Sequence, residues 1–144
     1  VQLAKESDIM LVVETGNNAM ITSCYLGRKL IDDLETKHLK VLWDPANALY
    51  CGENPSENAL DSMGSGYLGH VHMKDVEVTI HQATIKCVAL GEGQMAPHLQ
   101  KIADRLNEIG YDGAMSLESV FRPSEGGFED GFRESVSTFK MLYS

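Results

Sequence analysis

The chain has 144 residues, 43% of them hydrophobic, and a formal net charge of -9. That is one domain or part of a larger one, apolar enough to bury a core and too apolar to stay disordered. The acidic excess excludes a nucleic-acid-binding surface and a seat on an anionic membrane, and no apolar run reaches the roughly 20 residues of a membrane span.

In chain order, Ile9 to Val13 is a continuous apolar, β-branched run that stops at Glu14. Without alternation it predicts a strand covered on both faces, as in a parallel sheet. Thr22 or Ser23 caps a helix bearing Leu26, Leu30, Ile31 and Leu34 at helical spacing. Leu39 to Trp43 is a short strand, stopped by Asp44-Pro45. A short helix begins around Asn54-Pro55-Ser56, shows Ala59, Leu60 and Met63 on its apolar face, and breaks at Gly64-Ser65-Gly66.

Next comes Tyr67 to Asp75, read as the end of a buried strand. Alternate side chains share a face, so His70 and His72 lie on one side and Val71 and Met73 on the other. A loop from about Val76 to Lys86 follows, with a little extended structure at Val78 and Ile80. After Gly91-Glu92-Gly93, Pro97 suits the first turn of a helix bearing Leu99, Ile102, Ala103, Leu106 and Ile109, ending at Gly110. Ala114 to Leu117 is a fourth strand, closed by Glu118. The last helix, from about Phe128 to Leu142, carries Phe132, Val136 and Phe139 on one stripe.

The order is strand then helix, four times, with no internal domain boundary across residues 1–144. Strands linked by helices pair in parallel through right-handed crossovers. Cys24, Cys51 and Cys87 are odd in number and scattered, which fits a reduced, cytoplasmic protein. The first residue is Val1 rather than Met, which leaves room for a missing natural N-terminus.

Each strand ends in a metal-capable or ionisable side chain: Glu14, Asp44, His72 (or His70) and Glu118. Ligands of parallel α/β proteins sit at the C-terminal ends of strands. Three carboxylates and an imidazole on one rim suit Mn²⁺, Mg²⁺ or Co²⁺, and Zn²⁺ also fits.

Five motifs then occur in order: the apolar strand ending at Glu14, Trp43-Asp44-Pro45-Ala46-Asn47, Val71-His72-Met73-Lys74-Asp75, Gly91-Glu92-Gly93, and Gly110-Tyr111-Asp112-Gly113 with Ser116-Leu117-Glu118. Across nearly its whole length the chain resembles the C-terminal half of the xylose isomerase-like TIM barrel superfamily, the sugar phosphate isomerases and epimerases. The resemblance implies an α/β fold, with this chain as strands five to eight of a (β/α)8 TIM barrel. It implies that Glu14, Asp44, His72 and Glu118 bind the divalent metal, with His72 rather than His70 because the family's ligand immediately precedes x-Lys-Asp. Two departures stand out. Asn47 occupies the place of a substrate-binding His, and no Arg lies between Lys74 and Lys86.

Such a site suits proton transfer next to a sugar carbonyl through an enediolate. Glu14 and Glu118, on the first and last strands, are the expected acid/base pair, while Asp44 and His72 serve as ligands only. Asn47, His70 and Arg122 are candidate substrate contacts, although His70 equally suits a partner orienting the metal ligands, and Arg122 equally suits a surface position. Asp75 could cap its loop or orient His72. Glu92, between two glycines, reads as loop-shaping, and Trp43 and Phe121 could wall the pocket.

Three other readings compete with a sugar isomerase or epimerase. They are a keto-inositol dehydratase with the same metal chemistry, a multi-zinc abasic-site endonuclease, and a non-catalytic fragment. The endonuclease fits poorly with the charge of -9. Four βα units alone would leave open parallel edges and an apolar barrel-facing side. The expected partners are therefore a sugar and either the missing N-terminal half of the barrel or a second copy of the chain.

Overall fold

The structure is a computed structural model that describes residues 1–57 and 59–143. Four strands form one parallel sheet in the order β1-β2-β3-β6: β1 (Leu11–Glu14), β2 (Leu39–Trp43), β3 (Leu68–Met73) and β6 (Met115–Leu117). A short helix α1 (Gln2–Glu6), not expected from the sequence, precedes them. Helix α2 (Cys24–Leu34) follows β1, and α3 (Pro45–Tyr50) and α4 (Ala59–Tyr67) follow β2. Helices α5 (Ala96–Glu108) and α6 (Phe128–Tyr143) complete the third and fourth units. Four βα units joined this way are half of a TIM barrel, as the sequence led one to expect.

One face of the sheet makes the core. Val41, Trp43, Leu68, Val71 and Met73 pack with Ile31, Leu60, Met63, Leu99, Ile102 and Leu106 from the helices. Strand alternation, shifted by one residue where the β2–β3 register passes from Val41–Leu68 to Leu42–His70, sends Lys40, Leu42, His70, His72 and Ser116 to the other, half-buried face, the inside of the barrel. Trp43 is therefore fully buried behind the sheet and walls no pocket.

Local signals explain the helix boundaries. Ser23 caps α2, its Oγ accepting from Leu26 N at 3.2 Å. Helix α4 is broken at Gly64, where φ is 63°. Gly27 lets α2 lie against β2, since a Cβ there would come within 2.7 Å of Val41 Cγ2.

Three expectations need correction. Residues 76–86 are not a loop: β4 (Asp75–Thr79) and β5 (Thr84–Val88) pair as an antiparallel hairpin around a 3₁₀ turn that holds the exposed Ile80. Val76 and Val78 alternate with Glu77 and Thr79, and the apolar pair packs on the core. Pro45 is not merely a strand breaker. It is the first residue of α3, which Asp44 caps. Finally, α6 buries Gly131 and Ser135 rather than Phe132. A Cβ on Gly131 would collide with the Phe121 carbonyl, and Ser135 Oγ accepts from Leu90 N at 3.1 Å.

Candidate metal centre

Sheet hydrogen bonds deliver each acidic or imidazole side chain to the same rim. Thr15 N donates to Leu42 O at 3.0 Å, which carries the β1–β2 ladder past Glu14. Glu118 N donates to Met73 O at 2.9 Å, which does the same beyond β6. Asp44 is held hardest. Its Oδ1 accepts from Ala46 N (3.0 Å) and Asn47 N (3.1 Å), two of the donors a helix start leaves unpaired. Thr15 Oγ1 accepts from Asp44 N at 3.0 Å, so the ends of β1 and β2 are stitched together.

The outcome is one cluster. Glu14, Asp44, His72 and Glu118 each offer a donor atom, and these atoms all lie within 4.8 Å of one another. His72 Nδ1 is 3.4 Å from Glu14 Oε1 and 3.7 Å from Glu118 Oε2. It is buried and makes no hydrogen bond. A buried ring nitrogen without a partner, facing two carboxylates, is what a metal ligand looks like before its ion is counted. The donor set of three carboxylates and one imidazole fits a hard-to-borderline divalent cation.

Burial grades the four. The Asp44 side chain is wholly buried, whereas those of Glu118 and Glu14 are 34% and 42% exposed. Two of the carboxylates can therefore meet a solute on the barrel side, and Asp44 cannot.

A fifth side chain joins them. Lys74 Nζ lies 2.6 Å from Asp44 Oδ2 and 2.7 Å from Glu118 Oε2. Burial alone would lower the Lys74 ammonium, but the two carboxylates outweigh it and hold its pKa above the ordinary value. Burial pushes the Asp44 carboxyl up, against the pull of Lys74 and the Asn47 N–H. From the sequence, Lys74 belongs to the Lys-Asp pair that follows the imidazoles and reads as structural, yet alternation carries a sharper signal: 70, 72 and 74 share a parity.

The other candidates are placed as follows. His70 Nε2 pairs with Ser116 Oγ at 2.6 Å, and its ring meets His72 edge-on at 5.1 Å. Burial, then the neighbouring His72, lowers its pKa. His70 thus supports the His72 ring. Asn47 is buried, with Nδ2 donating to Thr15 O and Asp44 Oδ2 at 3.0 Å each, so its amide hydrogens hold Asp44 in place. Arg122 is exposed and its Nε donates to Gly126 O at 3.1 Å, closing its own loop. Asp75 does not orient His72. Its carboxylate accepts from four backbone N–H groups, of Val76, Gly91, Gly93 and Met95. Glu92 is exposed between the two glycines, in keeping with a loop-shaping role.

The model of the family described as "Xylose isomerase-like TIM barrel" matches residues 1–140. An uncharacterized protein of Methanocaldococcus jannaschii is 30% identical over 93 residues, 63% of this chain and 29% of that protein. Among solved structures, the 3-keto-D-glucoside 4-epimerase YcjR of E. coli superposes with a TM-score of 0.75 at 21% identity, over 97% of this chain and 49% of that one. The IolI protein, solved with a bound zinc atom, superposes with a TM-score of 0.75 at 17% identity, over 98% of this chain and 51% of that one. At such identities the likeness carries the fold, and the chain spans about half the length of those two structures. With the family's model covering nearly all of it, the chain belongs to the xylose isomerase-like TIM barrel family.

Proposed function

We propose that this chain is the C-terminal half of a divalent-metal-dependent sugar isomerase or epimerase, and that Glu14, Asp44, His72 and Glu118 hold its metal. The observation that carries this is the gathering of four donor atoms within 4.8 Å at one sheet rim, around an imidazole nitrogen without a hydrogen bond. The zinc of IolI and the sugar chemistry named for YcjR support the same reading.

When bound, the divalent cation supplies Lewis acidity to a carbonyl and a neighbouring hydroxyl, which acidifies the C–H between them. The rest belongs to the chain. Glu14 and Glu118 stand on the outer strands of the sheet, on either side of His72, and both are reachable by a solute. One removes the proton and the other returns it on the opposite side, which makes them the acid/base pair. Asp44, buried and capped, is a ligand only. His70 and Ser116 fix the His72 ring, and Asn47 fixes Asp44. Arg122 is the candidate contact for a phosphate or carboxylate on the substrate. The metal is Mn²⁺, Mg²⁺ or Co²⁺, with Zn²⁺ as the next choice.

The remaining four βα units, or a second copy of the chain, close the open edges of β1 and β6 and supply the rest of the substrate cavity. We place the protein in the cytoplasm, on its three free cysteines. No helix among the described residues is long and apolar enough to cross a membrane.

The test is an assay of the full-length protein on a panel of ketoses, keto-sugars and keto-inositols, with and without EDTA. Interconversion of two sugars, abolished by EDTA and restored by Mn²⁺, is the expected result. Loss of water from a keto-inositol would move the protein to the dehydratases, and turnover indifferent to EDTA would remove the metal from the mechanism.

A further inference from the structure

We propose that Lys74 is the centre's built-in counter-cation. Its ammonium holds Asp44 and Glu118 together in the metal-free protein, and the incoming metal must displace it. The inference rests on the metal reading above and adds a role for a residue outside the ligand set.

The geometry is specific. Lys74 Nζ takes Asp44 Oδ2 at 2.6 Å and Glu118 Oε2 at 2.7 Å, with its own side chain only 12% exposed. Glu118 Oε2 is also the oxygen that faces His72 Nδ1, at 3.7 Å. Asp44 Oδ2 already accepts from Asn47 Nδ2 at 3.0 Å. The ammonium thus occupies one oxygen of each of two carboxylates in the proposed ligand set. A metal binds carboxylate oxygen at about 2.0–2.2 Å, so a cation sharing both oxygens would stand against the ammonium. Two positive charges at that separation in a poorly solvated place repel strongly. A metal on the four ligands is therefore expected to draw the ammonium off at least one of the two oxygens.

The arrangement has a use. Asp44 is wholly buried and lies close to Glu118. Without a cation, that proximity in a buried place would be costly, because buried charge is tolerated only when paired. Lys74 supplies the pairing while no metal is bound, and its displacement makes metal binding weaker than the ligands alone would allow. Lys74 is thus a positioning residue that trades metal affinity for metal-free stability.

The two effects have opposite signs, which separates this role from a purely structural one. In the full-length protein, Lys74→Met is expected to lower the melting temperature of the metal-free form while tightening Mn²⁺ binding, read by calorimetry with the metal alone, by about tenfold or more. A lysine that merely shapes the ligands would lose both stability and affinity on substitution, so Mn²⁺ binding equal to or weaker than the unaltered protein's overturns the proposal. Should Lys74→Met not fold without metal, crystals of the unaltered protein with and without Mn²⁺ decide. The expected result is Lys74 Nζ hydrogen-bonded to both carboxylates only in the metal-free form. Both contacts intact beside an ion on the four ligands would overturn the proposal. If the unaltered protein binds no Mn²⁺ at those four residues, the metal reading fails and takes this proposal with it. If it binds there and Lys74→Met binds no tighter, this proposal alone fails.

Discussion

The Asp75 carboxylate fills the space a Cβ on Gly93 would need, and Val76 O and Val88 Cγ2 each lie 2.7 Å from the same point. With its four backbone donors at 2.8 to 3.0 Å, Asp75 pins the β4–β5 hairpin to the glycine turn and to the entry of α5. Asp75→Asn keeps the size but brings amide hydrogens against backbone N–H groups. The expected cost is about 3 kcal/mol, from charge-assisted bonds lost and donors left unpaired. That corresponds to a fall in melting temperature on the order of 10 °C. A thermal melt checks it, and an unchanged midpoint would show that the latch carries no weight.

Gly27→Ala probes the contact between helix and sheet. The added methyl comes within 2.7 Å of Val41 Cγ2, and Val41 is wholly buried, so α2 must lift from β2. Overpacking of this kind costs about 1–3 kcal/mol, measurable by urea unfolding. Helix propensity alone predicts the reverse sign, because Ala is the better helix former.

Glu53 gives a pH signature away from the centre. Burial raises its carboxyl above the ordinary range, offset in part by the Cys24 N–H. A folded-state pKa above the unfolded value keeps the proton bound longer in the folded form. Stability from this group is therefore present at acid pH and lost as pH rises through the folded value. Glu53→Gln should raise the melting temperature at pH 7 and leave it unchanged below the carboxylate range. Equal shifts at both pH values would contradict the assignment.

Most of the parallel sheet was legible from the sequence because its strands end abruptly in polar residues and its helices carry full apolar stripes. The rim residues Glu14, Asp44, His72 and Glu118 were legible because four strands in succession end in an ionisable side chain, a pattern that solvated boundaries do not repeat. What escaped had weaker local signals. The β4–β5 hairpin alternates over only five residues a side and turns at the exposed Ile80-His81-Gln82. Helix α3 is six residues long and hides behind a proline that also ends a strand. The inward face of α6 is set by the close approach of Phe121 to Gly131, a contact between segments that no periodicity reveals. Lys74 reads from the sequence as a structural residue after the strand, and only the fold shows the two carboxylates waiting for it.

The acid/base assignment separates chemistry from metal binding. Glu14→Gln keeps a ligand oxygen but cannot take a proton, so kcat on the best sugar should fall by about 10²- to 10⁴-fold. The melting temperature should stay near that of the unaltered protein, since the Glu14 side chain is 42% exposed and, among the described residues, only faces His72 Nδ1 at 3.4 Å. A variant with unimpaired kcat would move the proton-transfer role off Glu14.

The proposed metal centre holds one divalent ion among Glu14, Asp44, His72 and Glu118. Anomalous diffraction from crystals of the full-length protein grown with Mn²⁺ tests it most directly. A single strong peak within about 2.0–2.6 Å of oxygen or nitrogen atoms of Glu14, Asp44, His72 and Glu118 is expected. A peak elsewhere, or none at saturating Mn²⁺, would contradict it.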